Sequence, residues 1–227
     1  MSSLDDPVGS SLSGPHVDFA VRSGRVARVA RYAPDVAPFA SLGGLPDSAA
    51  WSGFADVGAG VLLLDPKLTI DLPDGWRTTW DLMGVQMIDT GMATQPDEDA
   101  VQLGPADVPE MLDLVSRTRP GPFMTRTVEL GSYLGIRRNG ALVAMAGERM
   151  HPPGYTEISA VCTDPDHQGS GLASRLMRAV AHGIRARGEV PILHASSTNT
   201  TAIRLYEKLG FVVRREFEFV GFERSAR

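Results

Sequence analysis

The 227-residue chain has little cysteine, no long apolar run and no excess of positive charge. Its one cysteine, Cys162, excludes an intramolecular disulfide and has no Cys/His metal spacing around it, so we expect no metal site and a reducing, cytoplasmic location. Its apolar runs fall short of the roughly 18 residues that span a membrane, and the N-terminus does not resemble a secretion signal. The sequence therefore predicts a protein without a membrane association.

Charge and composition favour a folded protein that does not bind nucleic acid. The formal net charge is −5, whereas contacts with phosphates need a basic surface. With 43% hydrophobic and 22% charged residues, the chain can bury a sizeable core. Its length allows one large domain or two small ones.

Polar and turn-forming stretches divide the chain into three predicted parts. Residues 1–15 are rich in Ser, Gly and Pro and predict a flexible tail. Residues 16–97 predict an α/β region, with short strands around the helix PDSAAWSGFADV. The polar stretch TGMATQPDEDA is the best candidate for the boundary between the second and third parts, so residues 98–227 form the last part.

The last part predicts an α+β fold, with a mixed, mostly antiparallel sheet flanked by helices. YLGIRR and ALVAMAGERM flank the turn Asn139-Gly140 and predict a hairpin. The strand TEISAVCT precedes an amphipathic helix, and the strand PILHAS, the helix TAIRLYEKLGF and the strand segment VVRREFEFVGF follow. The residues of the amphipathic helix at apolar spacing are Leu172, Leu176, Met177, Val180 and Ile184.

The loop between TEISAVCT and this helix has the chemistry of a pyrophosphate site. In DPDHQGSGLA, the residues Gln168, Gly171 and Ala173 satisfy the pattern Gln/Arg-x-x-Gly-x-Gly/Ala. Glycine lets the backbone approach a ligand, and the N–H groups of a helix N-terminus favour an anion. The pattern alone is weak, and its place between a strand and an amphipathic helix strengthens it.

A second motif follows further along the chain. It reads Asn-x-x-Ala-x-x-Leu-Tyr-x-x-x-Gly-Phe, and its matched residues are Asn199, Ala202, Leu205, Tyr206, Gly210 and Phe211. With both motifs, the segment from Val101 to Phe222 resembles the GNAT acetyltransferase superfamily and looks closest to its glycine N-acyltransferase-like branch. That branch implies a degenerate half of the same fold in the N-terminal region, with a packing or dimerisation domain as the alternative.

The resemblance implies an acyl-CoA-dependent N-acyltransferase. The expected co-substrate is acetyl-CoA or another acyl-CoA, and the acceptor is a primary amine of a small molecule or peptide that attacks directly in a ternary complex. Tyr206 corresponds to the acid that protonates the departing thiolate, and Glu157 to the base, with His194 or a water chain as alternatives. The implied cofactor-binding residues are Val161, Cys162, Thr163, Gln168, Gly169, Ser170, Gly171, Leu172, Ala173 and Asn199.

Each of these assignments has a structural alternative. Tyr206 fits a core aromatic at helical spacing, and Glu157 fits an ion-paired strand carboxylate. Cys162 should face away from its strand neighbours, which disfavours an acyl-cysteine. The competing function is a non-catalytic module that senses acyl-CoA or a small ligand. The sequence leaves open the acceptor amine, the acyl chain and the choice between a monomer and a homodimer.

Overall fold

The structure, a computed structural model, describes residues 2–68 and 70–225. Its N-terminal elements are α1 (Pro7–Leu12), β1 (Ala20–Arg22), β2 (Ala30–Tyr32), β3 (Ala40–Ser41), α2 (Ser48–Val57), β4 (Gly60–Leu64) and β5 (Trp76–Asp89). The later elements are β6 (Ala100–Leu103), α3 (Val108–Thr118), β7 (Tyr133–Arg138), β8 (Ala141–Glu148), β9 (Tyr155–Thr163), α4 (Leu172–Ala186), β10 (Val190–Ser196), α5 (Thr200–Leu209) and β11 (Phe211–Arg224). Strand and helix positions in the last part agree with the sequence patterns.

The expected flexible tail is wrong for the described part of residues 1–15. Asp6 caps α1 by accepting a hydrogen bond from the N–H of Gly9 at 2.9 Å. Leu4, Val8 and Leu12 are buried, because their spacing of four residues puts them on the same side of the segment. The Ser, Gly and Pro content that suggested disorder lies between these apolar positions.

One eight-stranded sheet joins the two larger predicted parts of the chain. Its strand order is β4-β11-β5-β10-β9-β8-β7-β6, beside a separate antiparallel sheet of β1, β2 and β3. β5 pairs antiparallel with both β10 and β11, so the region 16–97 contributes a central strand to the sheet of region 98–227. The predicted division near residue 97 therefore does not separate two sheets, and a degenerate half-fold stays a prediction.

Local sequence signals account for strands β7, β8 and β9 and for the helices that pack against them. Asn139 and Gly140 both have positive φ, 51° and 85°, as the predicted tight hairpin between β7 and β8 requires. α3 packs against one face of β8 and β9, and α4 against the other. The predicted apolar residues of α4 are all buried, namely Leu172, Leu176, Met177, Val180 and Ile184. The α+β class with a mixed, mostly antiparallel sheet is confirmed.

Strands β9 and β10 separate and open the middle of the sheet. They pair in parallel only between residues 155–157 and 190–192. Beyond this point β9 bulges, since residues 160 and 161 together oppose Ala146, and Ala160 has a φ of 52°. A bulge bends a strand and leaves backbone groups unpaired. The gap between the two strands is where the candidate site lies.

Candidate active site

Two cavities meet in the gap between β9 and β10. The α4 groove, with a volume of about 510 Å³, runs from the end of β9 past the loop before α4 to α5. The inner cavity, of about 280 Å³, lies among β5, β9, β10, β11 and the loop 119–122. Val161, Asn199 and Tyr206 line both. A ligand in the groove can therefore meet a second ligand at these residues.

The N-terminus of α4 faces the α4 groove without a side-chain cap. Gly171 is the N-cap residue, and no side chain accepts a hydrogen bond from the first turn. Gly169 and Gly171 have φ values of 77° and 78°, which glycine adopts without strain. The N–H groups of the first turn are thus available to an anion. Of the ten positions implied to bind the cofactor, all except Ser170 line this groove.

The end of β9 contributes two different side chains. Thr163 lines the α4 groove, and its buried Oγ1 has no hydrogen-bond partner among the described residues. The side chain of Cys162 instead packs in the cluster with Leu114 and Met145. Burial raises the pKa of Cys162 to about 11. A protonated thiol on the far side of the sheet is unsuited to nucleophilic attack in the groove.

Helix α5 places Tyr206 where the two cavities meet. Asn199 caps this helix, because its Oδ1 accepts a hydrogen bond from the N–H of Ala202 at 3.1 Å. Tyr206 lies two turns into the helix, and its hydroxyl makes no hydrogen bond with the described residues. Burial raises its pKa to about 12. The hydroxyl is therefore protonated at neutral pH and can donate to a group in either cavity.

Glu157 lines neither cavity, contrary to its predicted role as the base. Arg149 donates from Nε and Nη2 to the two carboxylate oxygens at 2.9 and 2.7 Å, and His194 Nδ1 lies 2.8 Å from Oε1. Burial by itself raises a carboxyl pKa, but Arg149 and these hydrogen bonds hold the pKa of Glu157 well below its usual range. Glu157 is thus the ion-paired strand carboxylate that the sequence left as its alternative.

His194 lines the inner cavity, but both of its ring nitrogens are engaged. Nε2 lies 3.0 Å from Nε2 of Gln86. The Oε1 of Gln86 accepts from Arg214 Nη1 at 2.8 Å, so its NH₂ group is the one that faces and donates to His194. In this network Nδ1 of His194 faces the carboxylate of Glu157 as a donor, and Nε2 accepts from Gln86. His194 can accept a proton from an amine only when Gln86 releases it.

The walls of the inner cavity are apolar and cationic. The apolar lining includes Phe39, Val61, Trp80, Leu82, Leu193 and Phe219. Arg119 and Arg149 also line it, and no Asp or Glu does so among residues 2–68 and 70–225. The guanidinium of Arg149 lies 4.7 Å from the ring centre of Phe39. The cavity thus combines a hydrophobic surface with positive charge.

Sequence reasoning missed Gln86, Arg119 and Arg149. Gln86 is a polar residue inside the apolar strand segment MGVQMI, and Arg149 follows the apolar stretch ALVAMAG and Glu148. A buried polar residue in such a run needs a partner, which is a usable signal. Arg119 has no comparable signal, because it lies in a loop whose neighbours in space come from distant parts of the chain.

Comparisons with known proteins identify relatives of the C-terminal part. The family described as FR47-like protein matches residues 133–220. A mycothiol acetyltransferase from Saccharopolyspora erythraea is 34% identical over 82 residues, which cover 36% of this chain and 27% of that protein. The N-alpha-acetyltransferase RimI of Mycobacterium tuberculosis is 38% identical over 82 residues, which cover 35% of this chain and 51% of that protein. The chain thus spans about a quarter to a half of these curated relatives.

Solved structures extend the similarity to the full chain. The structure of a putative acetyltransferase from the GNAT family from Novosphingobium aromaticivorans has 40% identity and a TM-score of 0.88, with 100% of both chains covered. A GCN5-related N-acetyltransferase from Kribbella flavida shares the fold at 15% identity, with a TM-score of 0.64 and coverage of 100% of this chain and 97% of that one. The relatives named here do not support the glycine N-acyltransferase-like branch that the sequence suggested.

Proposed function

Because this chain belongs to the GNAT acetyltransferase family, we propose that it transfers an acetyl group from acetyl-CoA to a primary amine by direct attack in a ternary complex. The observation that carries this proposal is the junction of the α4 groove and the inner cavity at Tyr206. A donor in the groove and an acceptor in the cavity would meet beside a hydroxyl that can supply a proton. Holding two reactants in this way lowers the barrier to a bimolecular reaction.

The α4 groove fits the pyrophosphate and pantetheine of acetyl-CoA. The uncapped N–H groups after Gly171 suit the pyrophosphate, helped by the dipole of the 15-residue helix α4. Residues Val161 to Thr163 lie where β9 has left β10, so their backbone groups can bind the amides of the pantetheine arm. The unpartnered Oγ1 of Thr163 offers a further hydrogen bond. Bound acetyl-CoA supplies the activated acyl group.

Tyr206 is the proposed acid. The departing sulfur needs a proton, and a free thiol has a reference pKa of about 8.5. Burial raises the pKa of Tyr206 to about 12, and the same surroundings would also raise the pKa of a thiolate formed beside it. The two pKa values therefore stay close enough for a proton to pass as the carbon–sulfur bond breaks.

The proton of the acceptor amine leaves through water in this proposal. Glu157 is enclosed by Arg149 and His194, and His194 has no free ring nitrogen. At pH 7 the α-amine of a peptide, with a pKa near 7.8, costs about 1 kcal/mol to deprotonate, whereas a lysine-type amine with a pKa near 10.4 costs about 4.6 kcal/mol. A site without a strong base favours the α-amine. The relative named as the N-alpha-acetyltransferase RimI is compatible with such an acceptor.

The test combines cofactor binding with turnover. Acetyl-CoA at 100 times its dissociation constant should raise the melting temperature by about 5 to 10 °C. Steady release of CoA with any amine in a broad panel supports the transferase. A melting shift without release supports the sensing module instead. No shift with millimolar acetyl-CoA or with longer acyl-CoAs would reject both the transferase and a sensor of acyl-CoA.

A further inference from the structure

We infer that the acceptor carries an oxyanion, in the first place a carboxylate, near its amine, and that Arg119 binds this group at the rim of the inner cavity. The inference rests on the proposed function, since it specifies the acceptor of the same site. It is drawn from the charge of the cavity, the conformation of Arg119 and the apolar residues that line the same cavity.

The charged groups around the inner cavity leave one unbalanced cation. Arg149 is neutralised by Glu157, which takes two of its hydrogen bonds. Arg119 is exposed and forms no ion pair with the described residues, and no described Asp or Glu lines the cavity. Positive charge disfavours an ammonium and favours the neutral amine that must attack the thioester. The same charge attracts an anionic group on the acceptor.

Arg119 is held in an unusual backbone conformation at this rim. It ends α3 with φ 50° and ψ 55°, and its N–H donates to the carbonyl of Val115. The left-handed region is unfavourable for a residue with a side chain, and a following proline adds a further restriction. Strain of this kind clusters at ligand sites. By contrast Arg117, two residues earlier, pairs with Asp113 and Asp164.

The apolar residues that line the same cavity as Arg119 fit an apolar body of small size. Trp80 and Leu82 lie on the same face of β5 and remain 45% and 38% exposed at the cavity. Phe39 and Phe219 complete this surface. The volume of about 280 Å³ lies just below the range of about 300 to 1,000 Å³ that is usual for small-molecule sites. An amine, an oxyanion and a compact apolar group together describe an apolar α-amino acid.

The experiment measures CoA release with apolar L-amino acids such as L-phenylalanine, and with the corresponding amides, which differ only in lacking the carboxylate. We expect kcat/KM to be at least about 10-fold higher for the acids, although the amides have the more easily deprotonated amine. Arg119→Gln should raise KM for the acids by about 10- to 100-fold with little change in kcat, and should leave KM for the amides unchanged. Arg119→Lys should recover part of the loss.

Arg204→Gln is the matched control, since Arg204 is exposed on α5, lines neither cavity and forms no ion pair with the described residues. It should leave both KM values unchanged. A further arm compares phosphoethanolamine with ethanolamine. A preference for the phosphate that depends on Arg119 supports the inference with phosphate as the oxyanion.

Different results would reject the proposed function and the inference about the acceptor. The inference would be overturned if the amides were used as well as the acids, or if Arg119→Gln left the KM for the acids unchanged. In both cases the release of CoA would still support the transferase. The inference would also be overturned if acetyl-CoA still raised the melting temperature but the protein turned over none of the amino acids and no phosphoethanolamine. Loss of the melting shift itself counts against the proposed function.

Discussion

The Nδ1 of His194 lies 2.8 Å from the Oε1 of Glu157, and the same carboxylate receives two hydrogen bonds from Arg149. On its other side His194 meets Gln86, which is held by Arg214. This buried chain joins β9, β10, β5 and β11 at the place where β9 and β10 begin to separate. Its hydrogen bonds tie these strands together at that point and engage both Glu157 and His194.

Glu157→Gln should therefore lower the stability of the protein strongly. The substitution leaves the buried guanidinium of Arg149 without its counter-charge, and breaking a buried pair in this way costs about 3 to 5 kcal/mol. The free energy of unfolding from urea titrations measures the effect. Glu129→Gln, in the partly exposed pair with Arg126, is the control and should cost less than about 1 kcal/mol. Equal losses in the two variants would show that Glu157 is not paired as described.

The fold of residues 98–225 was predictable because its signals are local. The Asn139-Gly140 hairpin and the apolar spacing of α4 each depend on residues close together in the chain. The same holds for the α4 groove, whose residues come mostly from one loop and its flanking elements. The prediction of a flexible tail failed because the burial of Val8 and Leu12 depends on residues far away in sequence, such as Leu130 and Phe219.

The inner cavity could not be predicted for the same reason. Phe39, Trp80, Arg119 and His194 come from separate elements, and only the pairing of β5 between β10 and β11 brings them together. The pairing of Glu157 with Arg149 was not predicted, because the motif position of Glu157 says nothing about Arg149. The two residues lie on either side of the turn between β8 and β9. The N–H of Arg149 donates to the carbonyl of Glu157 there, and this pairing brings their side chains together.

Tyr206→Phe should reduce turnover by about 10- to 1000-fold, since it removes the proposed proton donor and keeps the ring. The ring packs near Phe211, with centroids 6.3 Å apart, so the fold should be preserved. Steady-state rates of CoA release provide the measurement. The melting shift caused by acetyl-CoA should change little, which separates a loss of chemistry from a loss of binding. A turnover number equal to that of the unmodified protein would remove Tyr206 from the mechanism.

Gly171→Glu should abolish the melting shift caused by acetyl-CoA, because it puts a bulky negative group at the N-terminus of α4. Gly171→Ala is the matched control. It carries a similar cost of about 1 to 2 kcal/mol for a side chain at positive φ, and an added Cβ meets nothing within 4 Å. The alanine variant should melt earlier than the unmodified protein but keep most of its shift. A full shift in a folded Gly171→Glu variant would place the pyrophosphate elsewhere.

Stability should fall as the pH is lowered from about 6.5 towards 4, because of His16. Burial, with the neighbouring His151, lowers its pKa from 6.5 to about 4, and its ring nitrogens lie 2.9 Å from the Tyr32 hydroxyl and 3.1 Å from the Leu130 carbonyl. Below pH 6.5 the unfolded chain therefore binds a proton that the folded protein does not take up until about pH 4. The loss from His16 reaches at most about 3 kcal/mol.

His16→Gln removes this titration and keeps groups that can hydrogen-bond with Tyr32 and Leu130. Urea unfolding at pH 7 and pH 5 should show a smaller loss of stability in the variant than in the unmodified protein. The burial of His151 also lowers its pKa, so a residual decrease should remain in the variant. Identical decreases in the two proteins would mean that His16 is already exposed to protons in the folded state, and that its packing between the N-terminal region and Leu130 is looser than described.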